Sequence, residues 1–418
     1  MTSESIVKPK EVGRQPDEFY KTRLNKWRYR TRRIILRSLR KESEVMAQFQ
    51  RRYRRNWLDT YMLWSSFLGA VTFFILLLPI PYFWGHAEQG RALLQTLAAS
   101  VWITCLMKDF CCVPRPYSPP VSRISMGSSH LEYGFPSTHS TTAVAQALVL
   151  KQWLDESALT DSTKLLLHVL LGIATFSVVF GRFYCGMHSS VDCVGGVITG
   201  YLIYLTRSLI GPYYKTYISQ TSWLTPLSLT ALSLFAVHAH IKPAEDNPAF
   251  EDSVAFISVF LGNGIGDWFA NVNGYSHATY FTTKLHGWEW YLASLFKYPL
   301  GVGMIFLTRL LTKPLMQAVL PPLFRSLHSV VGGGTQGDTQ ASPTEPKMDA
   351  VPSVVDLGQL KQRKESTAQT PQPLPQQKYN SRYYDADIMT RVVTYAAMGF
   401  VGTIVSPIVF EKLGWGLY

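Results

Sequence analysis

The chain has 418 residues, 47% of them hydrophobic and only 16% charged, a balance that excludes an ordinary soluble globular protein of this length. Its formal net charge of +12 would by itself suit nucleic acid. The basic residues gather ahead of the first apolar stretch, however, where such clusters meet anionic lipid headgroups, so membrane lipids are the expected partner and nucleic acid is not.

Residues 1–57 are polar and basic, with Ile34, Ile35, Leu36 and Leu39 interleaved among Arg28, Arg30, Arg32, Arg33, Arg37, Arg40 and Lys41. That mixture predicts an interfacial helix that lies on the membrane. No cleaved signal peptide is expected, because the first apolar run is too long and too late. Apolar runs near the roughly 20 residues needed to cross a bilayer follow at 59–84, 92–107, 165–180, 191–210, 223–240, 254–270, 290–311 and 392–410, with a shorter, more polar one at 140–153. The expected fold class is all-α, a polytopic membrane helix bundle with about eight or nine spans. Its core would occupy 58–215, with additional transmembrane helices in 216–330 and a last one in 389–418. Between them, 331–388 is rich in Gly, Pro, Gln, Ser and Thr; it cannot bury enough surface to offset its ordering entropy and reads as a disordered loop.

Cys105, Cys111, Cys112, Cys185 and Cys193 have no zinc-type spacing, and their odd number gives no tidy disulfide framework. Small buried side chains are expected. A bond from the Cys111/Cys112 pair to Cys185 would need an oxidising compartment and suitable geometry.

Three short stretches hold an unusual share of the polar groups. "KDFCCVPRP" ends the second span and supplies Lys108 and Arg115, with Pro114 and Pro116 stiffening the turn. "GFPSTHS" supplies Ser137, Thr138 and His139 where a helix begins, so free backbone N–H groups and an oriented dipole offer an anion site. "GRFYCGMHSSVD" supplies Arg182, His188 and Asp192, the last two four residues apart and able to share a helix face. Taken singly, Lys108 and Arg115 read as snorkelling anchors, His139 as a helix-end residue and His188 with Asp192 as a structural hydrogen bond. Taken together they describe a phosphate pocket with its own catalytic groups. Cations spread over phosphoryl oxygens, plus a nucleophile and an acid, are what phosphoryl transfer requires. The sequence holds no carboxylate cluster or histidine-rich ligand set, so no metal and no other cofactor is expected, and histidine is left as the nucleophile.

Lys108 with Arg115-Pro116, Pro136-Ser137-Thr138-His139, and Arg182, His188 and Asp192 at their spacings resemble the three-part signature of the type 2 phosphatidic acid phosphatase superfamily. "KDFCCVPRPYSPPV", "LEYGFPSTHS" and "YCGMHSSVD" resemble its sphingosine-1-phosphate phosphatase branch. The resemblance implies that Lys108, Arg115 and Arg182 bind phosphate oxygens with Ser137 and the amides around Thr138. It implies that His188 attacks phosphorus to form a phosphohistidine, that Asp192 orients its ring, and that His139 protonates the departing alkoxide. Many superfamily members have Gly where this chain has Thr138; the phosphatase branch commonly has Thr. The implied substrates are sphingoid long-chain base 1-phosphates, whose ammonium would suit an acidic neighbour such as Glu132 or Asp267. A broader lipid phosphatase acting on phosphatidate or isoprenyl diphosphate, and a non-catalytic membrane anion transporter, are the alternatives.

The resemblance also implies an endoplasmic reticulum membrane and a luminal active site. The positive-inside tendency puts the basic N-terminus in the cytosol, and two complete spans would return Lys108 to that side. Either the N-terminus is luminal or the early span count is off by one.

Overall fold

The computed structural model describes residues 11–125, 131–275, 285, 287–331 and 386–416. Among them every regular element is helical. After the short α1 (Asp17–Arg23), α2 (Lys26–Tyr53) starts at Asn25, whose side chain accepts from the Arg28 amide at 2.9 Å. Its buried residues, Arg32, Leu36, Leu39, Ser43, Met46, Ala47 and Gln50, recur mostly every three or four positions, as one face of a helix must. Arg30, Arg33, Arg37, Arg40 and Lys41 lie exposed on the other. The expected amphipathic helix is present, but its apolar stripe is turned against the protein: Leu36 and Leu39 pack on Cys111 and Val113. Arg28 and Arg32 do not point to lipid either. Arg28 donates to the carbonyls of Asp109 (2.6 Å) and Phe110 (3.1 Å), and Arg32 to that of Cys112.

The expected span at 59–84 is broken. α3 (Asn56–Leu68) ends at Gly69, and α4 (Val71–Leu77) with α5 (Pro79–Phe83) continues at an angle of 53°. A Cβ at Gly69 would clash with Val178 Cγ1 and meet the His139 carbonyl oxygen at 3.2 Å, so the break passes close to both the Val178 side chain and His139. The bundle follows as α6 (Ala87–Cys111), α7 (Thr138–Glu156), α8 (Asp161–Tyr184), α9 (Ser190–Ile218), α10 (Leu224–His238), α11 (Ala249–Val272), α12 (Trp288–Val331) and α13 (Ala386–Phe400). A π-helical turn, Val401–Val405, leads into α14 (Ser406–Lys412). Six of the described helices are long and apolar enough to cross a membrane, or seven if the bent pair is one span, fewer than the eight or nine expected. The shortfall has a reason: α10 has only 15 residues, and α7 carries too many polar groups. Apolar side chains along α8, such as Leu165, Val169, Ile173 and Phe176, face outward as lipid contact demands. The protein is a multi-pass membrane helix bundle. Of the expected loop 331–388, residues 332–385 lie outside the described residues, while Val331 closes α12 and Ala386 opens α13.

Small residues set the closest approaches, as is usual where lipid supplies no hydrophobic drive between helices. Gly196 and Gly200 of α9 lie against the backbone of α7, where Cβ atoms would meet Ser137 O at 2.6 Å and Thr141 O at 2.5 Å. Gly262 of α11 faces Ala396 of α13 in the same way. α6 is central, packing on α7, α9 and α11. Near its start Arg91 makes a two-pronged ion pair with Asp267 of α11, at 2.8 and 3.0 Å. Arg91 lies about 25 Å along α6 from Lys108 at 1.5 Å per residue. Asp267 is therefore paired at the far end of the bundle and does not serve as an ammonium acceptor beside the motifs. The five cysteines are all free and buried, so the Cys111/Cys112 pair and Cys185 are not bridged.

Candidate active site

The chain leaves α6 through Cys112, a non-glycine residue at φ 51°, and turns at once into Val113-Pro114-Arg115. Arg28 and Arg32 of α2 hold this exit by satisfying the carbonyls of Asp109, Phe110 and Cys112. Backbone bonds then stitch the three stretches together. Gly134 N–H donates to Val113 O at 2.7 Å, and Ser137 N–H to Asp192 O at 3.0 Å. The amides of Met187 and His188 fold back on Arg182 O, at 3.0 and 3.2 Å. Gly186 makes that fold possible: its φ is +68°, and a Cβ there would meet Ser122 O at 2.8 Å.

The arrangement places His188 Nε2 at 2.9 Å from Arg115 Nη1. A guanidinium only donates, so Nε2 must present its lone pair and the ring proton sits on Nδ1. Asp192 Oδ2 lies 3.6 Å from Nδ1, beyond hydrogen-bond range but on the side of the ring that carries the proton. The same Oδ2 accepts the Ser189 amide at 2.8 Å, and Ser189 Oγ accepts the Asp192 amide at 3.2 Å, a capping box that opens α9. Lys108 Nζ (2.7 Å) and Arg115 Nη2 (3.1 Å) both donate to Glu132 Oε2. Arg182 Nε is buried with no hydrogen-bond partner among the described residues, as are Arg115 Nε and Thr138 Oγ1. Ser137 N-caps α7, its Oγ accepting from the Ser140 amide (3.3 Å) and hydroxyl (3.0 Å), which leaves its own O–H to donate. His139, in the first turn of α7, is half-buried at the same end.

Electrostatics follow from this crowding. Burial, with Arg115, Arg182 and Lys108 around the ring, pushes the His188 imidazole well below its ordinary value and so favours the neutral ring. Burial would raise the Glu132 carboxyl, but Lys108 and Arg115 overcome it and hold the group down at about 2.

All eight residues expected from the motifs, Lys108, Arg115, Ser137, Thr138, His139, Arg182, His188 and Asp192, come from separate elements to one end of the bundle. Two features were missed by sequence reasoning. Glu42 of α2 accepts the Ser190 amide at 2.6 Å, and Gln50 braces Ser122 and the Tyr184 carbonyl, each bond at 2.9 Å. Their signal was polar residues on the apolar stripe of α2, which motif spacing cannot interpret.

Residues 89–216, which hold all three stretches, match the PAP2 superfamily. A dihydrosphingosine 1-phosphate phosphatase of Schizosaccharomyces pombe is 33% identical over 417 residues, covering 96% of this chain and 96% of its own. The chain belongs to the PAP2 superfamily. A Saccharomyces cerevisiae dihydrosphingosine 1-phosphate phosphatase is 33% identical over 64% of this chain and 66% of its own. Human sphingosine-1-phosphate phosphatase 2 is 27% identical over 69% and 73%. No solved structure matches. In this PAP2 chain α2 hydrogen-bonds to the last turn of α6 and the first residue of α9, so the basic N-terminal helix and the three stretches share one end of the bundle.

Proposed function

We propose that the protein is a metal-independent lipid phosphate phosphatase of sphingolipid metabolism, hydrolysing sphingoid long-chain base 1-phosphates to the free base and phosphate. The observation that carries this is the lone pair of His188 Nε2 held at 2.9 Å from Arg115 in the midst of Lys108 and Arg182. Lys108, Arg115, Arg182, Ser137 and the amides around Thr138 bind the phosphoryl oxygens and stabilise their charge in the transition state. His188 Nε2 forms a bond to phosphorus as the ester P–O bond breaks, and His139 gives its proton to the alkoxide. His139 then takes a proton from water, whose oxygen displaces phosphate from His188. Asp192 keeps the ring oriented.

The substrate's alkyl chain finds room beside the site. A cavity of about 840 Å³ runs along α9 between α6, α10 and α11, walled by residues such as Ala98, Trp102, Ile198, Leu202 and Phe235. Its rim at Met107, Phe135 and Gly195 adjoins Lys108, Ser137 and Asp192 in sequence. On this reading residues 58–215 do the chemistry, while 216–330 help to wall the chain groove and 389–418 close the bundle.

Phosphate release from a panel of lipid phosphates, with chelator present, tests the proposal. Sphingoid base 1-phosphates should exceed phosphatidate and isoprenyl diphosphate, and Ala98→Trp should depress turnover of long chains more than short ones. Higher turnover of phosphatidate would replace this reading with a broad lipid phosphatase. No release of phosphate from any lipid would leave the anion transporter.

We place the site, and α2 with it, on the luminal face of the endoplasmic reticulum, although the basic α2 on its own would favour the cytosol. Single cysteines introduced at Arg40 and Ser118 should be labelled together and only after the membrane is permeabilised. Labelling in sealed vesicles would put both on the cytosolic face.

A further inference from the structure

Glu132 sits where a phosphate should. Its Oε2 bridges Lys108 Nζ at 2.7 Å and Arg115 Nη2 at 3.1 Å, two of the cations that grip the substrate. Its side chain is 25% exposed while those of Lys108 and Arg115 are 4% and 6%, so the carboxylate occupies the open side of the pair. A carboxylate in that place competes with every phosphate. It is an obstacle unless the substrate brings it a new partner.

We propose that Glu132 is an ammonium subsite that works by exchange: the incoming phosphate displaces the carboxylate from Lys108 and Arg115, and the freed carboxylate pairs with an amine borne next to the substrate's phosphate ester. The proposal deepens the function given above and rests on it. Before binding, Lys108 and Arg115 share one carboxylate; afterwards they hold a phosphate dianion, and the carboxylate holds a cation. Each charge keeps an opposite neighbour throughout. A lipid phosphate lacking the amine strands the carboxylate beside the phosphate, where like charges repel and the lost ion pair is not replaced. A charge-assisted hydrogen bond of this kind corresponds to roughly 10- to 100-fold in discrimination. Glu132 thus selects the substrate, and it protects the cations from free phosphate when the site is idle.

The test uses full-length protein in detergent micelles, comparing a 2-amino long-chain 1-phosphate with the alkyl phosphate of equal length that lacks the amine. Wild type should prefer the amine about 10- to 100-fold in kcat/KM. Glu132→Gln should lose most of that preference, Glu132→Asp should keep much of it, and inorganic phosphate should inhibit the Gln variant about tenfold more strongly. A ratio of two substrates on one preparation does not depend on the fraction folded. An unchanged preference in Glu132→Gln overturns the proposal. If wild type turned over neither lipid, the function above would fail, and direct binding of inorganic phosphate would still decide this point. Equal phosphate affinity in wild type and Glu132→Gln would reject the exchange.

Discussion

Replacing His188 by alanine should lower phosphate release by about 10⁴-fold or more, the loss expected when a covalent nucleophile is removed from a group of residues that act as a unit. The geometry explains why no neighbour can stand in. Arg115 meets Nε2 at 2.9 Å, and Lys108 and Arg182, the other cations around the ring, have no lone pair to offer, while Asp192 lies on the opposite, Nδ1 side of the ring. His139 is the other imidazole, but it is needed to move the proton. Binding should suffer less than turnover, since the cations that hold phosphate remain. Single-turnover experiments with wild type should also trap phosphate on the protein in acid-labile form, and His188→Ala should trap none. Because burial and the adjacent cations disfavour the imidazolium, the acid limb that His188 contributes to kcat/KM should fall below pH 6.5. A limb at or above that value would show that the free enzyme does not hold His188 as described. Retention of more than a few per cent of turnover in His188→Ala would remove it as nucleophile.

Arg91→Ala should destabilise the bundle by about 3–5 kcal/mol, read as a large fall in thermal midpoint of the purified protein in detergent. Asp267 is 2% exposed and Arg91 15%, and the two make a bidentate pair. Removing the arginine leaves a carboxylate facing protein rather than water. Asn263, one turn away on α11, cannot turn to that charge, because it already gives its amide to Tyr82 OH and Thr403 Oγ1, each at 2.8 Å. Replacing both partners by apolar residues of similar size, Arg91→Met with Asp267→Leu, should recover most of the loss, because the cost lies in the unpaired charge. The double variant should keep wild-type substrate preference, since Arg91 lies about 25 Å along α6 from Lys108. A changed preference for amine-bearing lipids would return Asp267 to the site.

Much of the site was legible in the chain because phosphoryl transfer limits the residue types that can serve. Lysine and arginine near apolar runs, a Ser-Thr-His ahead of a helix, and a His four residues before an Asp each carry a local physical meaning. Glu132 was legible only as an acid of the right charge in the right neighbourhood. That it already holds Lys108 and Arg115 depends on the loop before α7 folding over the end of α6. Asp267 was legible as an intramembrane acid more readily structural than functional, but its partner was not, since Arg91 is 176 positions away and carries no motif.

The sequence by itself determined the helical membrane class, the positions of the long apolar helices and the three polar stretches proposed to handle phosphate, because hydropathy period and side-chain chemistry are local properties. Tertiary structure alone decided the break at Gly69 against His139, the turning of the α2 stripe onto the protein, the pairing of Asp267 with Arg91 and the bridging position of Glu132. Each of these depends on which backbone comes close to which, and close approach is set by packing between segments that the order of residues does not display.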